Sequence, residues 1–260
     1  MTTRNERDRR EGRKTSASDW ANQPMTTFEG TSVKLPEGVT FFTMKKPGTY
    51  EIDIIPFWTG EGNPKADADY EHFERTFYVH RNMGLEGKNT YVCAASFAKL
   101  PDKEGCPICA WINRFGGEAD PELVKRMKQQ LRQLWCVIDL ANKDKGVMVF
   151  DAPFWKSFGE VLKNKVKARE KYQTFADLTG GWTLILTVEE ASIGKGGKFM
   201  QVVNIEMEMR DDYEKSVRDN APCLDNLLIR RSAKELQKIL DETINGGVGD
   251  DVPEDKPRTA

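Results

Sequence analysis

Cysteine, histidine and long apolar runs are what this chain has least of. Five cysteines in 260 residues is an odd number, too few for a fold stapled by disulfides. The longest near-continuous apolar run, Trp182 to Val188 in "GGWTLILTVEE", falls far short of the roughly 20 residues that carry a helix across a bilayer, so it reads as a strand. An excess of one charge is absent too. With 39 basic and 41 acidic residues the formal charge is −2, and the whole-chain value argues neither for nor against a polyanion partner. No internal repeat is visible. The opening residues, MTTRNERDRREGRK, are strongly polar where a secretory leader would be apolar. Together with the sparse thiols, this sets the expected compartment as reducing and cytoplasmic.

What is present is unevenly placed. The first fourteen residues hold six Arg or Lys and three acids, whereas the closing "GDDVPEDKPRTA" holds four acids and two bases. Both ends lack apolar residues and are expected to be flexible termini. The expected organisation is a basic arm over residues 1–20, a folded core over 21–243, and a short, mildly acidic tail over 244–260. Within the core, "TFFTM", "TYEIDIIPFW", "HFERTFYVH", "LWCVIDL", "GVMVFD", "GWTLILTVEE" and "KFMQVVNIEMEM" read as strands, with "GKGG" as the turn between the last two. Three helices are predicted. One runs from about Pro121 to Leu134 behind an Asp120 N-cap; a second covers roughly Phe154 to Tyr172. The third follows a capping box of Ser232 and Glu235 and stops before Gly246-Gly247. Short strands interrupted by helices make the fold class mixed and mainly β, a small barrel with insertions rather than a sandwich.

The stretch "GCPICAW" sets Cys106 and Cys109 three positions apart. Twelve residues separate Cys93 from Cys106, and another twelve separate His80 from Cys93. One imidazole and three thiolates are the donor types that a tetrahedral zinc ion takes, and a Cys-x-x-Cys segment presents two sulfurs to one ion without straining the backbone. Four protein ligands leave no open position for water, so a single Zn2+ here would be structural, holding together a subdomain at about 72–115. Two unrelated cysteines with a surface histidine, or a redox dithiol, are the blander and the rival readings. A further rival is a zinc nucleobase deaminase, from His72-Phe73-Glu74 followed by Cys106 and Cys109. It requires a proline before the first cysteine, where this chain has Gly105.

On the predicted helix "PELVKRMKQQLRQLW", Lys125, Lys128 and Arg132 fall on one face with Arg126 beside them. From Arg114 to Lys171 there are thirteen bases and eight acids, so the middle of the chain is locally positive. Aromatics are interleaved: Phe73, Phe77, Tyr78, Tyr91, Trp111, Phe115, Trp135, Phe154 and Trp155. Cations tracking phosphates while rings stack on unpaired bases is how single strands are bound without sequence preference. The alternatives are a solvated charged face over ordinary core aromatics, or a zinc-organised adaptor that takes a protein partner on the positive face.

The block from "YVH" through "CPIC" to "LVKR" resembles the zinc-containing single-stranded DNA-binding, or helix-destabilising, proteins of T-even-type bacteriophages. His80, Cys93, Cys106 and Cys109 stand in that family's order, and the similarity extends loosely through "FWKSFGEVL" and "WTLILTV" to about residue 210. The resemblance implies an OB-type barrel carrying the zinc subdomain. It also implies a non-enzymatic, cooperative coat on single-stranded DNA in phage replication, recombination and repair, in the host cytoplasm. Lys125 and Arg126 match a Lys-Arg pair of the family's binding surface. With them, Lys128 and Arg132 are expected to neutralise phosphates, and Tyr91, Trp111 and Trp135 to offer stacking rings. "RKTS", Arg13, Lys14, Thr15 and Ser16, is similar to the family's self-association cluster, which links neighbours head to tail. The family's long acidic C-terminal domain, which recruits replication and recombination proteins, is reduced here to a short tail.

Overall fold

The computed structural model describes residues 32–97, 105–193 and 197–245. Arg13, Lys14, Thr15 and Ser16, the acidic tail and the centre of "GKGG" lie outside the described residues. The strands are β1 (Gly48–Ile55), β2 (Phe57–Trp58), β3 (Glu71–His72), β4 (Arg75–Met83), β5 (Asn89–Val92), β6 (Gln130–Asp139), β7 (Met148–Pro153), β8 (Trp182–Ile193) and β9 (Gly197–Met209). The α-helices are α1 (Pro107–Phe115), α2 (Pro121–Met127), α3 (Phe158–Ala168), α4 (Lys215–Asp219) and α5 (Ala233–Asn245).

The strand β6 organises the molecule. Its residues Leu134 to Asp139 are all buried, which is why the segment reads as an apolar run without alternation: both faces of the sheet are covered. The side chains still alternate. Trp135 and Val137 face one core, with Ile52, Ile54, Leu184, Leu186, Phe150 and, from α3, Phe158 and Leu162. Leu134, Cys136 and Ile138 face the other, with Ile55, Phe57, Phe77, Val79, Leu224 and Leu227. β7 obeys the same period, sending Met148, Phe150 and Ala152 to the first core and Val149 to the second.

Pairing is antiparallel in the order β5-β4-β6-β1-β8-β9, with β7 also on β6. The first half of β6 pairs with β4 (Phe77 opposite Arg132) and its second half with β1 (Ile54 opposite Val137), while β7 runs along the other edge from Arg132 to Val137. The ladders among the described residues form an open path ending at β5 and β9. The fold is therefore a mainly β, antiparallel sheet with several helices.

Three elements differ from their sequence reading. "TFFTM" forms no named strand; Phe41 makes only a parallel bridge to Val149 beside β7. The helix expected over Phe154 to Tyr172 is α3 followed by a separate short 3-10 turn, Glu170–Thr174. The helix expected to reach Leu134 ends at Met127. Asp120 caps it as predicted, accepting from the Glu122 N–H at 3.0 Å, but Lys128 turns to an extended backbone and β6 begins at Gln130. Strand pairing with β4 and β7 overrides helix propensity there.

Candidate metal centre and the adjoining basic groove

His80 comes from β4, Cys93 follows β5, and Cys106 and Cys109 open α1. β4 and β5 are a hairpin in which His80 is the Cα partner of Tyr91, and the Cys93 N–H donates to the Tyr78 carbonyl at 2.8 Å. These two ligands are therefore fixed by the ladder itself. Cys106 is the N-cap of α1, with Pro107 in the first helical position. "CPIC" is thus a helix start rather than a free turn, and thiolates gain from the partial positive charge of a helix N-terminus.

The four donor atoms lie within 4.8 Å of one another and could hold a metal ion. Cys93 Sγ is 3.7 Å from Cys109 Sγ, and His80 Nε2 is 3.3 Å from Cys106 Sγ and 3.6 Å from Cys109 Sγ. Tetrahedral bonds of about 2.3 Å to sulfur and 2.0–2.1 Å to nitrogen set edges near ~3.8 Å between sulfurs and ~3.5 Å between nitrogen and sulfur. The separations fit that frame. His80 Nδ1 donates to the Met127 carbonyl at 2.7 Å, which leaves Nε2 as the ligating nitrogen and orients the ring. Gln129 Nε2 donates to Cys109 Sγ at 3.2 Å. Because Met127 is the last residue of α2, the helix stop that periodicity missed is what presents its carbonyl to His80.

Electrostatics within the cluster favour a cation. Burial alone would lower the His80 pKa; hydrogen bonds with Cys106, Cys109 and the Met127 carbonyl reverse this and raise it to about 10. Hydrogen bonds from Cys109 and Cys93 push the Cys106 thiol far down, while hydrogen bonds with Cys106 and Cys109, and then burial, push Cys93 far up. Three sulfurs this close cannot all ionise without a positive centre among them.

The apolar surroundings of the site are small. Met83, Ile108 and Met127 pack with the cysteines, and the C-terminal helix α5 adds Leu236 and Leu240. The capping box of α5 forms as predicted, the Ser232 N–H donating to Glu235 Oε2 at 2.9 Å and the Glu235 N–H to Ser232 Oγ at 3.3 Å. Glu74, the general acid/base of the deaminase reading, is buried and engaged by Lys65 and Gln133. Neither it nor His72 belongs to the metal-ligating group found among the described residues.

The predicted binding residues separate. Lys125 and Lys128 are exposed at the end of α2, and Arg126 is half-buried. Tyr91 and Trp111 are partly buried against the metal-site cluster. Trp135 is only 3% exposed, enclosed by Phe73, Phe158 and Phe175, so its ring is unavailable for stacking. Arg132 lies on β6 rather than on a helix face, and its Nε donates to Asp151 Oδ1 at 2.7 Å.

Arg132 also lines a groove of about 310 Å³ with Ser32, Phe41, Thr43, Arg81, Thr90 and Asp151. Arg81 was missed by sequence reasoning. It follows the ligand His80 on a strand, so it points away from the metal centre by simple alternation, and the "HR" pair carried that signal. Burial first, and the neighbouring Arg132 charge second, lower the Arg81 pKa, with Asp151 opposing. Two guanidinium groups answered by one carboxylate leave the groove with a net positive charge. No helix among the described residues is long and apolar enough to cross a membrane. No protein-family model matches the chain, and no curated protein matches it.

Proposed function

We propose that this protein is a non-enzymatic, zinc-stabilised single-stranded DNA-binding protein that coats displaced strands during phage replication, recombination and repair. In this reading the sheet, in which β6 pairs with β4 along its first half and β1 along its second, belongs to an OB-type barrel. His80, Cys93, Cys106 and Cys109 would hold one structural Zn2+, which fixes the lobe beside the groove and takes part in no reaction.

The observation that carries the reading is the groove itself. Arg81 and Arg132 stand together over a single carboxylate, Asp151, among the hydroxyls of Ser32, Thr43 and Thr90. That chemistry suits a phosphate backbone, and the exposed Lys125 and Lys128 extend the positive charge along the α2 side. Tyr91 and Trp111 remain as rings beside the metal centre. The N-terminal arm would link neighbouring copies along the strand.

Anisotropy titrations of a labelled oligo(dT) at graded salt test this. Binding should fall as salt rises, with a log–log slope near ~0.7 per neutralised phosphate, and Arg81→Gln should weaken binding and flatten that slope by roughly one such contact. A salt-independent affinity, or no binding, overturns the reading.

A further inference from the structure

We propose that Trp155 is a base-stacking platform just beyond the end of β7, presented to single-stranded nucleic acid by a strained turn. The inference rests on the nucleic-acid reading above and names a contact that neither the binding-helix prediction nor the groove residues contain.

Trp155 is 63% exposed, an unusual placement for the largest apolar side chain. It is not a loose ring. It sits edge-on against Phe154, with centroids 4.8 Å apart at 90°. The next residue, Lys156, takes a φ of +55°, a conformation side-chain-bearing residues rarely adopt. Two hydrogen bonds from different elements hold it there. The Lys156 N–H donates to Glu160 Oε2 at 2.6 Å, and Gln201 Nε2, from β9, donates to the Lys156 carbonyl at 2.5 Å. A strained turn pinned at both its polar groups fixes the direction of the ring before it.

Charge and position identify the occupant. Lys163 lies 5.6 Å from the Phe154 ring centroid, and Lys156 directly follows Trp155 in the chain, so two cations accompany the aromatic pair. The carboxylates nearby are engaged, Glu160 by the turn and Glu74 by Lys65 and Gln133. Pro153 is the Cα partner of Arg132, and Trp155 is two residues further on. Two trans peptide steps and one inter-strand spacing place it within about 13 Å of the groove arginine. An exposed ring held beside Phe154, with Lys156 next to it in the chain and Lys163 near the Phe154 ring, fits a strand of phosphates carrying unpaired bases.

The test compares Trp155→Ala, Trp155→Phe and wild type on a dT oligomer of ~16 nucleotides and on an abasic strand of equal length. On the dT oligomer, Trp155→Ala should weaken binding about tenfold with an unchanged salt slope, since a stack releases no counterions, and Trp155→Phe should recover most of the loss. On the abasic strand all three should bind alike. Unchanged thermal melting of the variants excludes misfolding as the cause. Equal affinity of Trp155→Ala and wild type for the dT oligomer overturns the platform and leaves the nucleic-acid reading standing. So does an equal loss on the abasic strand. Failure of the wild type to bind either strand overturns that reading and this inference with it.

Discussion

The sheet and the metal lobe are held together by different physics. The sheet is covered on both faces by apolar clusters rich in aromatic and branched side chains, each such residue stabilising the fold by roughly 1.5–3 kcal/mol when fully buried. Besides its cysteines, the metal lobe's apolar cluster buries only Met83, Ile108, Met127, Leu236 and Leu240 among the described residues, the last two brought by α5 from far along the chain. Its four ligands are therefore part of its core. On the proposed reading, coordination of an ion would supply to this region what packing does not, and removal of the ion should separate the two regions.

The sharpest break of that comparison is Cys106→Ser. Loss of one ligand should abolish stoichiometric metal and release α1 and α5 while the sheet persists, since structural zinc contributes on the order of 10 kcal/mol to modules of this kind. Metal quantification and hydrogen exchange, read separately over residues 105–127 and over the β8–β9 hairpin, check it. Uniform protection in the variant would mean that the lobe stands without its ion.

A smaller effect comes from equal truncations in the two regions. Leu184→Ala and Leu240→Ala each remove a side chain that is at most 1% exposed and should each cost about 2–5 kcal/mol. The first should lower the global unfolding midpoint, whereas the second should lower only the exchange barrier of α5 and the metal affinity. If Leu240→Ala shifts the global midpoint equally, the lobe and the sheet form one cooperative unit.

The smallest effect is a difference in pH response. Tyr213 donates to Asp53 at 2.7 Å, and Thr183 donates to the other oxygen at 2.6 Å, joining β1 and β8 to the segment before α4. Burial, then the hydrogen bond to Asp53, raises the Tyr213 pKa well above that of a free phenol. A raised folded-state value means stability fully present below the ordinary phenol range, about pH 10, and lost progressively as pH rises above it. The sheet should therefore weaken in strong alkali, and Tyr213→Phe should remove that part of the dependence. The metal lobe has the opposite sense, because its ligands must be deprotonated and acid competes with the ion. Stability curves against pH, followed by signals from each region, distinguish the two.

Much of this was legible in the sequence, for reasons that differ by residue. The ligand set could be read because sulfur and imidazole are rare here and their chemistry is narrow. The capping box at Ser232 and Glu235 is a local hydrogen-bond pattern and formed as read. The segment from Met127 to Leu134 was not legible. Leu123, Met127, Leu131 and Leu134 satisfy a helical stripe, yet Leu134, Cys136 and Ile138 satisfy a strand face, and only pairing with β4, β7 and β1 decides between them. Arg132 was misplaced by that ambiguity, whereas Trp135, read within the strand "LWCVIDL", was misjudged only in its exposure.

What the sequence by itself determined is the chemistry available: four soft ligands at closing distances along the chain, a positive middle region, and apolar runs long enough for strands. What only the tertiary structure decided is which of those groups meet. It set Arg81 against Arg132, enclosed Trp135 while leaving Trp155 outside, and brought α5 onto the metal lobe. Spacing along a chain records local periodicity, whereas burial and charge pairing depend on strands and helices far apart in number, and that information exists only once the sheet has formed.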